Sequence, residues 1–274
     1  MLDDFEARPG STTSLLRTVL GGAVRELGGW VASGALVTLM GELGVPPDRS
    51  RTAVSRLKAK GVVAADPRQG VRGYVITPAA AEMFTRGDRR IFHPRQMADG
   101  DAWCLVSFSV PESEREVRHQ LRRRLGWIGA GTVAGGLWIC PAYLTDEVEQ
   151  IVADLELTGR VTIFLAGSVR GIGDLRAAAA RWWDLPALAA LHEAFLTSHA
   201  AAIAAFHADP QPRTAFRTWI TALDAWRPIP YLDPGLAPAL LPRDWPGRRS
   251  IPLFLAFRDE VTAHAAEFVK QTVN

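Results

Sequence analysis

Residues 44–77 read GVPPDRSRTAVSRLKAKGVVAADPRQGVRGYVIT, and the reading of this stretch decides the first domain. Pro46-Pro47-Asp48 opens a helix that runs to Lys60, with Pro47 in the first turn, where a missing N–H costs nothing. Ala53, Val54 and Leu57 form its apolar stripe. A helical wheel sets Thr52, Ser55 and Ala59 opposite that stripe, flanked by Arg51, Arg56 and Lys58, with Arg49 preceding them. Small polar residues between cations suit a helix that approaches base edges while its arginines reach guanines and phosphates. Gly61 ends the helix. Val62–Asp66 and Tyr74–Thr77 then read as strands, joined by a glycine-hinged tip that carries Arg68 and Arg72. Two arginines on such a hairpin are what a wing needs to touch the DNA backbone or a minor groove. The pattern is the second half of a winged helix, and it points to double-stranded DNA as the partner.

Upstream, Leu15, Leu16, Val19, Leu20, Val24 and Leu27 recur at helical spacing and predict a helix over Thr13–Leu27, stopped by Gly28-Gly29. Ser33 is a candidate cap for a second helix whose Leu36, Val37, Leu39, Met40 and Leu43 face the core. Downstream, Ala79–Phe84 reads as a short helix, and Thr85–Gln96 as a polar connector with Arg86, Arg89, Arg90 and Arg95. From Asp101 to Arg170 the expected order is strand (Trp103–Val110), helix (Glu112–Leu125), glycine-punctuated strand (Trp127–Pro141), helix (Leu144–Leu157) and strand (Val161–Val169). That β-α-β(β)-α-β order matches a ferredoxin-like sandwich. Beyond Ala178, Leu185–His207, Thr214–Trp226 and Pro252–Thr272 are helix patterns. The stretch from Arg227 to Gly247 is too rich in proline for a helix or central strand, and is expected to wrap over the helices with Tyr231 and Trp245 in the core. The fold class is therefore α+β. Residues 1–84 form a winged helix-turn-helix, 85–100 a basic linker, 101–177 a ferredoxin-like domain and 178–274 a mostly helical domain.

At 274 residues, 48% hydrophobic and 22% charged, the chain has an ordinary globular composition with room for such domains. Net charge is only +2, yet residues 49–95 alone carry eleven basic and three acidic side chains. A positive field confined to one segment is the footprint of nucleic-acid contact. No apolar run approaches the roughly 20 residues of a membrane span, and the first 20 residues lack a signal-peptide pattern, so a cytoplasmic protein without membrane contact is expected. Cys104 and Cys140 lie in apolar strand-like runs and read as buried, reduced thiols.

Catalytic chemistry finds little support. The six histidines show no metal-ligand spacing, and no G-x-S-x-G elbow occurs. No catalytic residue, metal or cofactor is expected. Gly129-Ala130-Gly131 precedes a strand, Leu137–Cys140, where a phosphate loop would open a helix, so these are turn glycines. Arg115, Arg118 and Arg122-Arg123-Arg124 interleave with Glu112, Glu114 and Glu116 as a solvated, ion-paired face, the alternative being a second contact with flanking DNA. Trp183 and Trp245, with His192, Tyr231, Arg227, Arg243 and Arg248, read either as core anchors and surface cations or as an apolar pocket with a cationic rim. A pocket of that kind would suit a ligand that carries both an aromatic ring and phosphates, with aromatic walls for the one and arginines for the other.

Several sets of residues resemble the PaaX family, the bacterial repressors of phenylacetic acid degradation and their relatives. The first is Gly28-Gly29-Trp30-Val31, Gly34-Ala35-Leu36, Leu43-Gly44-Val45 and Arg51-Thr52-Ala53-Val54-Ser55-Arg56-Leu57. The middle set is Trp103, Phe108-Ser109-Val110-Pro111-Glu112 and Gly136-Leu137-Trp138-Ile139 before Pro141. The last is Trp183-Asp184-Leu185, Asp233-Pro234-Gly235-Leu236, Leu241-Pro242 and Asp244-Trp245-Pro246-Gly247. The resemblance spans about Ser14 to Val269 and implies a homodimeric transcriptional regulator, usually a repressor. It also implies an aryl-acetyl-CoA thioester as the effector that releases operator DNA. His192 stands where the family commonly has a tyrosine, so the effector of this chain is open to difference. Two enzyme readings compete. One is a metal-dependent nuclease built on the ferredoxin-like domain, with Asp101 and Asp174 as available carboxylates. The other is a metabolite enzyme that retains a vestigial winged helix.

Overall fold

The computed structural model describes residues 8–170 and 173–273. In chain order the elements are α1 (Thr12–Val19), β1 (Trp30–Ala32), α2 (Ser33–Glu42), α3 (Pro47–Ala59), β2 (Val63–Ala65), β3 (Gly73–Ile76) and α4 (Pro78–Phe92). Then come β4 (Trp103–Phe108), α5 (Arg115–Trp127), β5 (Gly131–Ala134), β6 (Leu137–Pro141), α6 (Thr145–Asp154), β7 (Val161–Ala166) and α7 (Leu175–Trp182). The chain closes with α8 (Leu185–Ala208), α9 (Pro212–Trp226), α10 (Ile229–Leu232) and α11 (Gly247–Val273). Two compact units share these elements. One joins His93–His192 to Ile229–Gly247; the other joins residues 8–92 to Glu193–Pro228 and residues 248–273.

The winged-helix unit differs from the sequence expectation in several places. The first helix is continuous, but α1 passes into a π-helical turn at Leu20–Val24 and a 3-10 turn at Arg25–Leu27, where Gly28 turns left-handed at φ 92°. The π turn coincides with two glycines that neighbouring helices approach closely: a Cβ on Gly22 would stand 2.7 Å from Leu223 Cδ2, and one on Gly21 2.9 Å from Phe84 Cδ1. Trp30–Ala32, too short for any period to show, is a third strand, and the sheet runs β1-β3-β2, all antiparallel. Thr85–Gln96 is helix as far as Phe92, because Ala80, Met83, Gly87 and Ile91 of α4 form a buried stripe that its arginines obscure in the sequence.

Carboxylate Asp224 of α9, 1% exposed, ties this unit together. It accepts from Gly10 N (2.6 Å), Ser14 Oγ (2.6 Å), Thr18 Oγ1 (2.7 Å) and Arg227 Nη2 (3.3 Å). Trp226 beside it is fully buried, donates to the Ile91 carbonyl at 3.0 Å and stacks on Phe254 with centroids 4.5 Å apart. His199 of α8 packs on Phe195, and burial lowers its pKa from the ordinary 6.5, against an opposing pull from Asp224. A depressed folded value means the unfolded chain binds the proton first. Stability contributed by His199 is therefore full above pH 6.5 and falls as pH drops below it. Thermal unfolding of His199→Gln should accordingly lose part of the wild-type decline below pH 6.5; identical profiles would sink this assignment.

Helix α8 is 24 residues long, and by length and composition alone it is apolar enough to cross a membrane. The sequence-based exclusion of any such segment does not hold for it. Leu185, His192, Phe195, Ile203 and Phe206 are nonetheless buried core positions.

The ferredoxin-like unit carries a four-stranded antiparallel sheet of order β5-β6-β4-β7, with β5 and β6 as a hairpin where the sequence suggested one glycine-broken strand. One face (Cys104, Val106, Phe108, Trp138, Cys140) packs with Leu121 and Leu125 of α5 and Val148 and Ile151 of α6. Cys104 and Cys140 are opposite one another across β4 and β6, buried and unbridged. The second face, through Trp103 and Ile139, meets Trp183, Leu185, Leu236, Leu240 and Trp245. The proline-rich segment is thus a strap on this sheet. Trp245 is 3% exposed, whereas Tyr231, expected in the core, is only half-buried.

Candidate nucleic-acid interface

Helix α3 is presented by its buried side. Ala53, Val54 and Leu57 pack inward, Ser50 joins them with its hydroxyl donated to the Pro46 carbonyl at 3.1 Å, and Gly44 enters the helix at φ 74°. Arg49, Arg51, Thr52, Ser55, Arg56 and Lys58 are all exposed. Thr52 donates to the Asp48 carbonyl at 3.0 Å, which leaves the hydroxyl's lone pairs as acceptors on that surface. Lys60 caps the helix and Gly61, at φ 71°, turns the chain into β2. One helix face thus offers four cations and two hydroxyls, and none of the four cations is in a salt bridge among the described residues.

The wing closes through a two-residue turn. Gln69 and Gly70 have φ 50° and 82°, and Arg68 and Val71 exchange backbone bonds of 3.0 and 2.8 Å. Two successive positive φ values give the hairpin the twist of its strands. Ser33, expected to cap α2, instead stands inside that helix and donates its N–H and hydroxyl to the Arg72 carbonyl at 2.9 and 3.1 Å. Arg72 and Val71 are exposed at the tip, while Arg68 lies over the Trp30 ring and pairs with Asp66. The sequence reading gave no role to Trp30 or Asp66, since nothing local marks a tryptophan as lying under a hairpin 40 residues away.

The residues proposed for an effector divide between the units. In the ferredoxin-like unit Trp183 is 5% exposed and donates to the Gly129 carbonyl at 2.8 Å, and His192 is 1% exposed with Nε2 2.9 Å from Asp233 Oδ2. Trp245 meets His192 edge-on, Tyr231 is half-buried and Arg243 exposed. Arg227 and Arg248 belong to the winged-helix unit, where Arg227 holds Ser14 Oγ and Asp224 and Arg248 is exposed. A cavity of about 30 Å³ between Arg17, Gly22, Phe84, Leu223 and Arg227 is too small for an aryl group.

Other candidate sites resolve into structural contacts. On and beside α5, Arg118 pairs with Glu112 (2.6 Å), Arg124 with Asp154 (3.3 Å) and Arg160 with Glu114, as a solvated ion-paired face requires. Asp101 accepts from Ala98 N, and Asp174 caps α7. Among the described residues no three His, Cys, Asp or Glu side chains gather as metal ligands.

Three family models match in chain order: "PaaX-like protein" over residues 11–77, "PaaX protein central Cas2-like domain" over 96–178 and "PaaX-like protein C-terminal domain" over 183–271. The chain belongs to the PaaX family. A curated relative of this PaaX-family chain is the transcriptional repressor PaaX of Escherichia coli K12, 26% identical over 272 residues, covering 97% of this chain and 85% of the relative. Among solved structures, the uncharacterized protein Rv0674 of Mycobacterium tuberculosis aligns with a TM-score of 0.60 at 22% identity, over 93% of this chain and 96% of that one. That likeness speaks for the fold of this PaaX-family chain, and the Cas2-like match fits its ferredoxin-like sheet.

Proposed function

We propose that this PaaX-family chain is a homodimeric, cytoplasmic transcriptional repressor that binds operator DNA through α3 and the wing. The observation that carries the reading is the one-sided helix α3: apolar residues inward, and Arg49, Arg51, Thr52, Ser55, Arg56 and Lys58 together on the exposed side. Arg51 and Arg56 reach guanine edges or phosphates, Thr52 and Ser55 make close base or sugar contacts, and the wing with Arg68 and Arg72 follows the adjoining groove. The family relationship and the repressor named in the relative support this assignment, as does the basic stretch over residues 49–95. The functional segments are 1–84, 85–100, 101–177 and 178–274, an arrangement supported by the spans of the three matches.

A two-fold dimer would place its recognition helices in major grooves about 34–36 Å apart and read an inverted repeat. An acyl-CoA type effector, aryl-acetyl-CoA or related, would release the operator of a catabolic operon. Trp183, His192, Tyr231, Arg243 and Trp245 of the ferredoxin-like unit are put forward for its contacts; Arg227 and Arg248 belong to the other unit, where Arg227 engages Ser14 and Asp224. To drive the dimer from almost wholly DNA-competent to almost wholly incompetent, it must prefer the second state by about 5.5 kcal/mol. No catalytic residue, metal or cofactor enters this reading.

The test is selection of genomic fragments by the purified chain at near-physiological salt. A few promoters sharing an inverted repeat are expected, followed by release when aryl-acetyl-CoA is titrated onto the complex. Retention of DNA without sequence preference would remove the repressor reading, and release by no thioester would remove the effector.

A further inference from the structure

The wing is held by more than its strands. Trp30 of β1 lies across the base of the hairpin, where its Nε1 donates to the Asp66 carbonyl at 2.8 Å. Its ring approaches Gly73 so closely that a Cβ there would stand 2.5 Å from Cζ2. The guanidinium of Arg68 rests over the same ring, 5.3 Å from a ring centroid. The Asp66 carboxylate clamps it from the side, with Nε and Nη2 each 2.9 Å from Oδ2. Asp66 N donates to the Gly73 carbonyl at 3.0 Å, which ties the two arms together just below the turn.

The two wing arginines therefore stand in different situations. Arg68 is held within the hairpin by a carboxylate and an aromatic face, with half of its side chain left in solvent. Among the described residues Arg72 gives the chain its carbonyl, to Ser33, and keeps an exposed side chain. A tip containing Gly70 and Gly73 has wide backbone freedom. Fixing it on DNA would oppose binding unless the geometry were set beforehand. We propose that Trp30 and Asp66 are positioning residues of the wing, and that Arg68 is the brace through which they set the tip of Val71 and Arg72 rather than a phosphate contact. This rests on the reading above that the wing meets DNA.

The measurement is the salt dependence of affinity for a selected operator fragment. It compares the full-length wild type with Trp30→Phe, Arg68→Met, the double variant and Arg72→Met. Each residue that neutralises a phosphate contributes about 0.9 to the slope of log affinity against log salt. Arg72→Met is expected to lower the slope by about 0.9. Trp30→Phe and Arg68→Met are expected to weaken binding about three- to tenfold at unchanged slope, the scale of one hydrogen bond or cation–π contact. The double variant should be no weaker than about the worse single one, because both changes release one brace.

A slope lowered by about 0.9 in Arg68→Met would make Arg68 a phosphate contact and overturn the proposal. So would independent, additive losses, or unchanged affinity in both brace variants. Arg68 has half its side chain in solvent, so Arg68→Met keeps the test valid even if Trp30→Phe folds poorly. A wild type that retains no fragment defeats the DNA reading together with this one, whereas normal wild-type binding with unaffected variants defeats this one alone.

Discussion

Asp224→Ala is expected to lower folding stability by about 3–5 kcal/mol, the size seen when one partner of a buried ion pair is removed. The carboxylate is 1% exposed and accepts four hydrogen bonds, three of them from Gly10, Ser14 and Thr18 on or before α1. The fourth comes from Arg227, itself only 9% exposed, whose guanidinium would lose its carboxylate partner while keeping the Ser14 hydroxyl. Asp224→Asn keeps the shape and part of the bonding, so it should fall between wild type and alanine. Urea unfolding monitored by tryptophan fluorescence measures both. A loss in Asp224→Ala below about 1 kcal/mol, the scale of an ordinary solvated hydrogen bond, would show that water enters freely and that the network is not the tie described. Since Ser14 and Thr18 belong to the helix that packs on α3, the alanine variant should also lose operator binding near its unfolding midpoint.

The second large effect concerns affinity. Arg51→Ala with Arg56→Ala is expected to weaken binding of a selected operator by about 2–6 kcal/mol, twice the range for one arginine bidentate to guanine. Both side chains are exposed on α3, and among the described residues neither is in a salt bridge, so the unfolding midpoint should stay within about 0.5 kcal/mol of wild type. The pair of measurements separates recognition from folding. Equal loss for the operator and for random DNA would reassign the two arginines to phosphates. An operator affinity within threefold of wild type would move recognition away from α3.

Legibility in the sequence followed the range of the forces involved. Helix α3 could be read because everything that makes it is local: Pro47 in its first turn, Ala53, Val54 and Leu57 at helical spacing, and Gly61 beyond its end. The strand–helix order of the ferredoxin-like unit was readable for the same reason, down to its two helices. Strand β1 was not, since three residues carry no period and its partners Gly73–Val75 lie some 43 residues on. Helix α4 stayed hidden after Phe84 because Arg86, Arg89 and Arg90 outweigh a stripe of only four buried positions. Trp245 could be placed in the core from sequence, but the partners of Trp183, His192 and Trp245 were beyond local reading. Their partners, such as Gly129 at 54 residues' separation and Asp233 at 41, are chosen by the tertiary structure. From sequence, an aromatic residue near an arginine looks the same whether it lines a pocket or fills a core.

The way the chain is shared between the two units bears on how it is made. The winged-helix unit draws on residues before 93, then on 193–228, then on the segment from 248 onward, with ferredoxin-like segments intervening. On a ribosome, helix α1 emerges some 200 residues before the carboxylate that its Ser14 and Thr18 bond. At synthesis rates of about 5–20 residues per second, that leaves Ser14 and Thr18 waiting on the order of ten seconds or more for Asp224. A nascent chain that has not yet reached Asp224 thus lacks the tie that holds α1, and on the proposed function operator recognition has to wait for α9.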